Sequence, residues 1–162
     1  MEHKGTVTLE TERLILRRFQ LEDAQAMYRN WAADDEVTKF LTWPTHRDAG
    51  VSEKILSEWI GQYDQPDYYN WAIVWKETSE PIGNISVVSM NEKAELAHMG
   101  YCISRKWWHQ GVTSEALEAV IRFLFEEVQA GCVSARHDSR NVNSGKVMEK
   151  CGMIYEGTLR HS

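Results

Sequence analysis

The sequence predicts an α/β protein built on a mixed, mostly antiparallel central sheet with helices on both faces. Three observations lead there. Strand-like segments between residues 70 and 104 follow one another across short turns, as in an antiparallel meander. A long amphipathic stripe then runs from Ser114 to Val128. After it, strand-like and helix-like segments alternate, which adds crossovers to the meander and calls for helices on both faces.

The elements follow in the order β-α-α-β-β-β-α-β-α-β. "RLILRRF", Arg13 to Phe19, has the leucine and isoleucine content of a first strand. In "LEDAQAMYRNWA" the residues Ala24, Met27, Tyr28 and Trp31 recur at helical spacing behind the acidic Glu22 and Asp23, which suit a helix start. Val51, Ile55, Trp59 and Ile60 mark a second amphipathic helix ending near Gly61. "NWAIVWK" and "IGNISVVS" form a hairpin about "ETSEP", and Ala94 to Ser104 adds a third antiparallel strand. Leu117, Val120, Ile121, Leu124, Phe125 and Val128 then line one face of a helix stopped at Gly131. "CVSARHD" reads as a strand, "SGKVMEKCG" as a short helix capped by Gly152, and "MIYEGTLR" as a last strand.

With 162 residues, 43% of them apolar, the chain suits one domain spanning 1–162 with one real core. Acidic residues outnumber basic ones 24 to 18, for a net charge of -6, which argues against nucleic acid as a partner. Three cysteines without CxxC spacing suggest neither a disulfide framework nor a zinc site, and are expected to be reduced. His98, His109 and His137 with Cys102 match no zinc spacing, so no metal is expected. No apolar run approaches the roughly 20 residues that span a bilayer, nor does the N-terminus resemble a signal peptide. A cytoplasmic location and no membrane partner are the expectation.

The stretch "WWHQGVTSEAL" places a glycine and two hydroxyl residues directly before the long helix. A helix start carries N–H groups without intrahelical partners and a positive dipole end, and there proteins hold anions, phosphates especially. A strand end meets a helix start between Ser104 and Ser114, where open α/β sheets bind ligands.

These segments, from "TERLILRRF" through "IGNISV" and "GYCISRKWWHQGVTSEAL" to "NVNSGKVMEKCGMIYEGTLR", resemble the GNAT superfamily of acetyl-CoA-dependent N-acetyltransferases. Within it the chain is similar to the branch of ribosomal-protein N-terminal, Rim-type acetyltransferases. The family's phosphate loop, [QR]-x-x-G-x-[GA], falls here on Trp108, Gly111 and Thr113, departing at two of three positions. The resemblance implies acetyl-CoA as cosubstrate, its pantetheine arm along Tyr101, Cys102 and Ile103 and its diphosphate over Gln110, Gly111, Val112, Thr113 and Ser114. The acetyl group would lie beside Met99, Gly100 and Tyr101. Arg105, Lys106, His109 and Lys146 surround this phosphate site and would supply local positive charge, although Arg105 and Lys106 read equally well as a solvated face. The resemblance carries Asn141 to the pantetheine or the chain beside it, and Ser144 to the coenzyme sulfur. It also implies a further strand after "YEGTLR" that is absent from this chain, and pairing through that edge into a homodimer is one way to complete the sheet.

Acetyl transfer to an amine needs a proton acceptor, an oxyanion donor and a proton source for the departing thiolate. An α-amine has a pKa of about 8 and a lysine amine about 10.4, so each is mostly protonated at neutral pH. Glu95 and His98 are the candidate bases; a histidine suits the task near pH 7, while the alternative is a hydrogen-bonded sheet residue. Related sequences more often carry glutamate at the position of His98. A backbone N–H near Met99 or Gly100 would meet the oxyanion. The family's frequent acid, a tyrosine, is replaced by Met148, leaving Ser144 as proton donor, helix cap, or both. Trp43 and the aromatics of "YDQPDYYNW", Tyr69 and Trp71 among them, are candidates for the acceptor cleft, although Trp71 also reads as core. The leading expectation is direct transfer to a primary amine, of a polypeptide N-terminus or a small molecule. The alternative is a coenzyme-binding sensor without turnover.

Overall fold

The computed structural model describes residues 1–38, 45–136 and 147–151. Among these residues seven strands lie in one sheet in sequence order: β1 (Leu9–Glu10), β2 (Leu14–Arg17), β3 (Asn70–Trp75), β4 (Glu80–Asn91), β5 (Leu96–Ile103), β6 (Cys132–Arg136) and β7 (Val147–Cys151). Every neighbouring pair is antiparallel except β5 and β6. A parallel pair needs a crossover, and the connection here is the helix α4 (Val112–Glu126).

Side chains of the sheet alternate between two apolar clusters. On one face Leu14, Leu16, Trp71, Ile73, Ile85, Met99 and Ile103 pack with Val112, Ala116, Leu117, Val120, Ile121 and Leu124 of α4. On the other, Ala72, Val74 and Cys102 meet Phe19, Met27, Trp31 and Leu56. Phe19 follows β2, Met27 and Trp31 come from the helical stretch at 21–32, and Leu56 comes from α3 (Ala49–Ile60), started by Asp48, whose Oδ1 accepts the Val51 N–H at 3.1 Å. The stretch at 21–32 is a 3-10 turn (Leu21–Asp23), then α1 (Ala24–Met27), then a wider π turn (Tyr28–Ala32). A short helix α2 (Asp35–Thr38) and strand β1 were not expected; each is at most one turn or two residues long, below what periodicity detects.

Two expectations are corrected. The segment read as a helix at 144–152 runs as a strand over Val147–Cys151, antiparallel to β6. Pairing supplies backbone partners along the free side of β6, and this outweighs a weak helical pattern. Cys102 carries a free thiol, whereas Cys132 is disulfide-bonded rather than reduced. The expected final strand within 153–160 lies outside the described residues.

Candidate active site

The β5–β6 ladder covers only Leu96 to Met99, paired with Cys132 to Ala135. The described pairing with β6 ends at Met99, while the β4 register continues through Gly100 to Ile103. Three hydrogen bonds fix which groups face away from β4. Glu95 C=O accepts from Gly131 and Cys132 N–H on the β6 side, whereas Ser104 N–H donates to Ile82 C=O on the β4 side at 2.7 Å. Strand alternation therefore turns the N–H and C=O of Tyr101 and Ile103 away from β4 and those of Gly100 and Cys102 towards it. Trp108 Nε1–H already donates to Ile103 C=O at 3.1 Å. The first N–H beyond the ladder is thus Tyr101's. Gly100, expected as an oxyanion donor, turns its N–H into the β4 ladder instead.

The chain leaves this strand through a 3-10 turn (Arg105–Trp107) and enters α4 through His109 and Gly111, both left-handed at φ +64° and +75°. Glycine takes that conformation at no steric cost, and here it is the N-cap of α4. Among the described residues no side chain caps the helix, which leaves the N–H groups of its first turn at the positive end of the dipole. Val112 is buried beneath the turn, Thr113 is half-buried, and His109, Gln110 and Ser114 are exposed. This is the arrangement a diphosphate needs.

Arg13, which sequence reasoning passed over, ties the helix start to β2. Its Nε donates to Glu115 Oε1 at 2.7 Å, its backbone N–H to Glu115 Oε2 at 2.9 Å, and its Nη1 to Gln110 C=O at 3.2 Å. Thr11 Oγ1 donates to the same carboxylate at 2.5 Å. Burial raises the pKa of Glu115, but the bonds from Thr11 and Arg13 outweigh it and hold the carboxyl below its usual range. Of the expected cations, Arg105 pairs with Asp34 at 3.0 Å and Lys106 Nζ lies 5.6 Å above the Trp107 ring.

On the opposite face, His98, Gly100 and Cys102 project together. His98 is half-buried one position before the last described β5–β6 pair, facing Ser89 and Ser134 in the registers. Cys102 Sγ–H donates to Asn84 Oδ1 at 2.9 Å, Asn84 Nδ2 to Asn70 Oδ1 at 3.2 Å, and Asn70 Nδ2 to Tyr68 Oη at 3.1 Å. This amide ladder across three strands had no signal in the sequence, since its members lie on separate strands. Burial pushes the Cys102 thiol up to about 12, so it is not a thiolate near neutral pH. Val88, inserted by a bulge between Val87 and Ser89 and 65% exposed, stands over Gly100.

The remaining expected residues fall elsewhere. Glu95 is exposed at the turn before β5, 3.6 Å from the N-terminal amine of Met1, at the end of the strand away from Ile103. Tyr69 and Trp71 do not line a cleft: they are 1% and 0% exposed, stacked on each other and edge-on to Phe123 of α4. Their odd positions put them on the α4 face, where Trp71 Nε1–H donates to Val7 C=O at 2.6 Å. Trp43, Asn141, Ser144 and Lys146 lie outside the described residues. Among the described residues no His, Cys, Asp or Glu group is gathered as metal ligands would be, and no helix is long and apolar enough to cross a membrane.

Residues 13–154 match the family model described as an acetyltransferase (GNAT) domain. The Bacillus licheniformis protein named "Uncharacterized N-acetyltransferase p20" is 30% identical over 94% of this chain and 85% of its own length. The Escherichia coli [ribosomal protein uS5]-alanine N-acetyltransferase is 26% identical over 93% of this chain and 80% of its own. RimL, a ribosomal L7/L12 alpha-N-protein acetyltransferase solved with coenzyme A, superposes with a TM-score of 0.70 at 16% identity, over 83% of this chain and 77% of its own.

Proposed function

The chain belongs to the acetyltransferase (GNAT) domain family and is an N-acetyltransferase using acetyl-CoA; from that premise we propose direct acetyl transfer to the α-amine of a polypeptide N-terminus. The observation that carries the reading is strand β5, whose described pairing with β6 stops at Met99 and whose outer edge at Tyr101 and Ile103 ends beside the start of α4 at Gly111. One end offers backbone partners to an amide-bearing arm, the other N–H groups to a diphosphate. Both demands of coenzyme A are met within one stretch of fifteen or so residues.

Acetyl-CoA supplies an activated acyl group; the chain supplies alignment and proton handling. Tyr101 N–H is the backbone donor placed for the developing oxyanion, a role that calls for no side chain. His98, on the Gly100 and Cys102 face, takes the ammonium proton directly or through water so that the amine can attack. Ser144 is assigned to the departing sulfur on the strength of the family motif. The neutral, buried Cys102 thiol donates to Asn84 and is a poor nucleophile, which favours attack by the amine itself over an acetyl-cysteine route. An α-amine is the better acceptor because at a pKa of about 8 it yields its proton more readily than lysine at about 10.4. The uS5-alanine relative points to the same acceptor class.

The test is thiol release from acetyl-CoA across peptides with free N-termini, lysine-only peptides, amino acids and polyamines, with His98→Ala and Ser144→Ala in parallel. Turnover on free peptide N-termini that falls at least tenfold, about 1.4 kcal/mol of barrier, in the variants is expected. Binding of acetyl-CoA without turnover on any amine would refute the reading in favour of a coenzyme sensor.

A further inference from the structure

The loop between the 3-10 turn and α4 holds two left-handed residues, His109 and Gly111, on either side of Gln110. A non-glycine residue there costs about 1–3 kcal/mol and persists only when its surroundings impose it. The imposing contacts converge on one side chain. Arg13 Nη1 donates to Gln110 C=O between the two residues, and Arg13 Nε donates to Glu115 one turn into α4. Arg13 itself is fixed from behind, with its guanidinium 5.8 Å from the Trp75 ring centroid and Trp75 packed at 4.4 Å on Trp107, the residue that enters the loop. From within the loop, Gln110 Nε2 donates back to Lys106 C=O at 2.9 Å.

We propose that Arg13 and Glu115 are positioning residues for the coenzyme: bridging β2, the loop and the first turn of α4, they set the direction of the N–H groups at 112–114 that take the diphosphate. The inference rests on the coenzyme reading above and adds to it residues that touch no substrate. Glu115 makes it testable, because its charge and its position predict opposite effects. As a bare charge at the helix start, Glu115 repels a diphosphate, and Glu115→Gln should tighten binding. As half of a brace, it accepts two bonds from Arg13 and one from Thr11, and the same change should weaken binding.

The experiment is calorimetric titration of the full chain with coenzyme A, alongside steady-state KM and kcat and thermal melting, for wild type, Arg13→Gln, Arg13→Lys, Glu115→Gln and the Arg13→Gln/Glu115→Gln double variant. Each single neutral variant should raise Kd and the KM for acetyl-CoA at least tenfold, about 1.4 kcal/mol, with kcat within about threefold. Arg13→Lys should fall between, because one ammonium cannot reproduce the fork that reaches Gln110 and Glu115 together. The double variant should lose no more than the worse single, since both break one brace. Unchanged or tighter coenzyme binding by Glu115→Gln overturns the inference, as does a lowered melting temperature with no separation of KM from kcat. A wild-type protein that binds no coenzyme A overturns the function reading, and this inference with it.

Discussion

Gly83→Ala probes the strand pair that builds the coenzyme edge. Gly83 faces Ile103 in the β4–β5 register, one step from the bonded Ile82–Ser104 pair, so it lies at a non-hydrogen-bonded position where strands approach most closely. A Cβ added there would sit 2.4 Å from Cys102 O and 2.9 Å from Ile103 Cα. Ordinary contact begins near 3.4 Å, so the backbones must part by roughly 1 Å, and neither obstacle is a side chain that can swing aside. Overpacking of this kind costs about 1–3 kcal/mol, and loosening the Ser104–Ile82 bond adds about 1. A total of about 2–4 kcal/mol corresponds to a fall of roughly 5–15 °C in melting temperature for a domain of this size. The acetyl-CoA KM should rise with it, because the displaced backbone is the other side of the Tyr101 and Ile103 edge. Gly100→Ala is the control. There the new Cβ meets Val88 Cγ1 at 2.7 Å, but Val88 is mostly exposed and free to rotate, so the cost should stay below about 1 kcal/mol. Denaturant unfolding and steady-state kinetics on both variants decide the matter. A Gly83→Ala protein as stable as Gly100→Ala, with unchanged KM, would refute the close-approach argument.

Other outcomes follow from single contacts. Cys102→Ala should keep turnover within a few-fold, and mass spectrometry of the wild type with acetyl-CoA should find no acetylated Cys102, since the thiol is neutral at working pH. Asn84→Ala should cost about 1–3 kcal/mol in denaturant unfolding by stranding the Cys102 and Asn70 partners in the sheet. Arg17→Ala should cost about 3–5 kcal/mol, because Arg17 forks onto Asp23 at 2.8 and 2.9 Å and its loss leaves a buried carboxylate unpaired; Arg17→Lys should recover part of it. His46 is buried with Nδ1 2.7 Å from Ser52 Oγ, and burial lowers its pKa. Below pH about 6.5 the unfolded chain binds a proton that the folded chain refuses, so stability should fall as the pH drops from there towards the folded value. His46→Gln should flatten that slope in unfolding measured between pH 7 and 5.

Much of the fold was legible because its signals are local. The stripe of α4 placed Leu117, Val120, Ile121, Leu124 and Val128 in the core correctly, and Gly111 marked the helix start. Phe123 rather than Phe125 proved the buried aromatic, a matter of helical phase set by Tyr69 and Trp71 across the interface. What the sequence hid is non-local. Arg13 and Glu115 are 102 positions apart, and nothing in "TERL" distinguishes a bracing arginine from a solvated one. The ladder from Tyr68 to Cys102 exists only once three strands are in register. Tyr69 and Trp71 look like cleft aromatics because they follow a loop, but strand parity turns them inward.

Strand β5 also has a rhythm in time. Amide hydrogens exchange with solvent deuterium when their bonds are absent or open. Along β5 the amides of Gly100 and Cys102 point into the β4 ladder, and that of Ile103 points away from it. In the free protein, then, Ile103 should exchange faster than Cys102, one peptide away. That contrast within a single continuous strand is an isotopic signature of its outer edge, and the degree to which a bound molecule slows Ile103 would reveal which molecules complete the sheet.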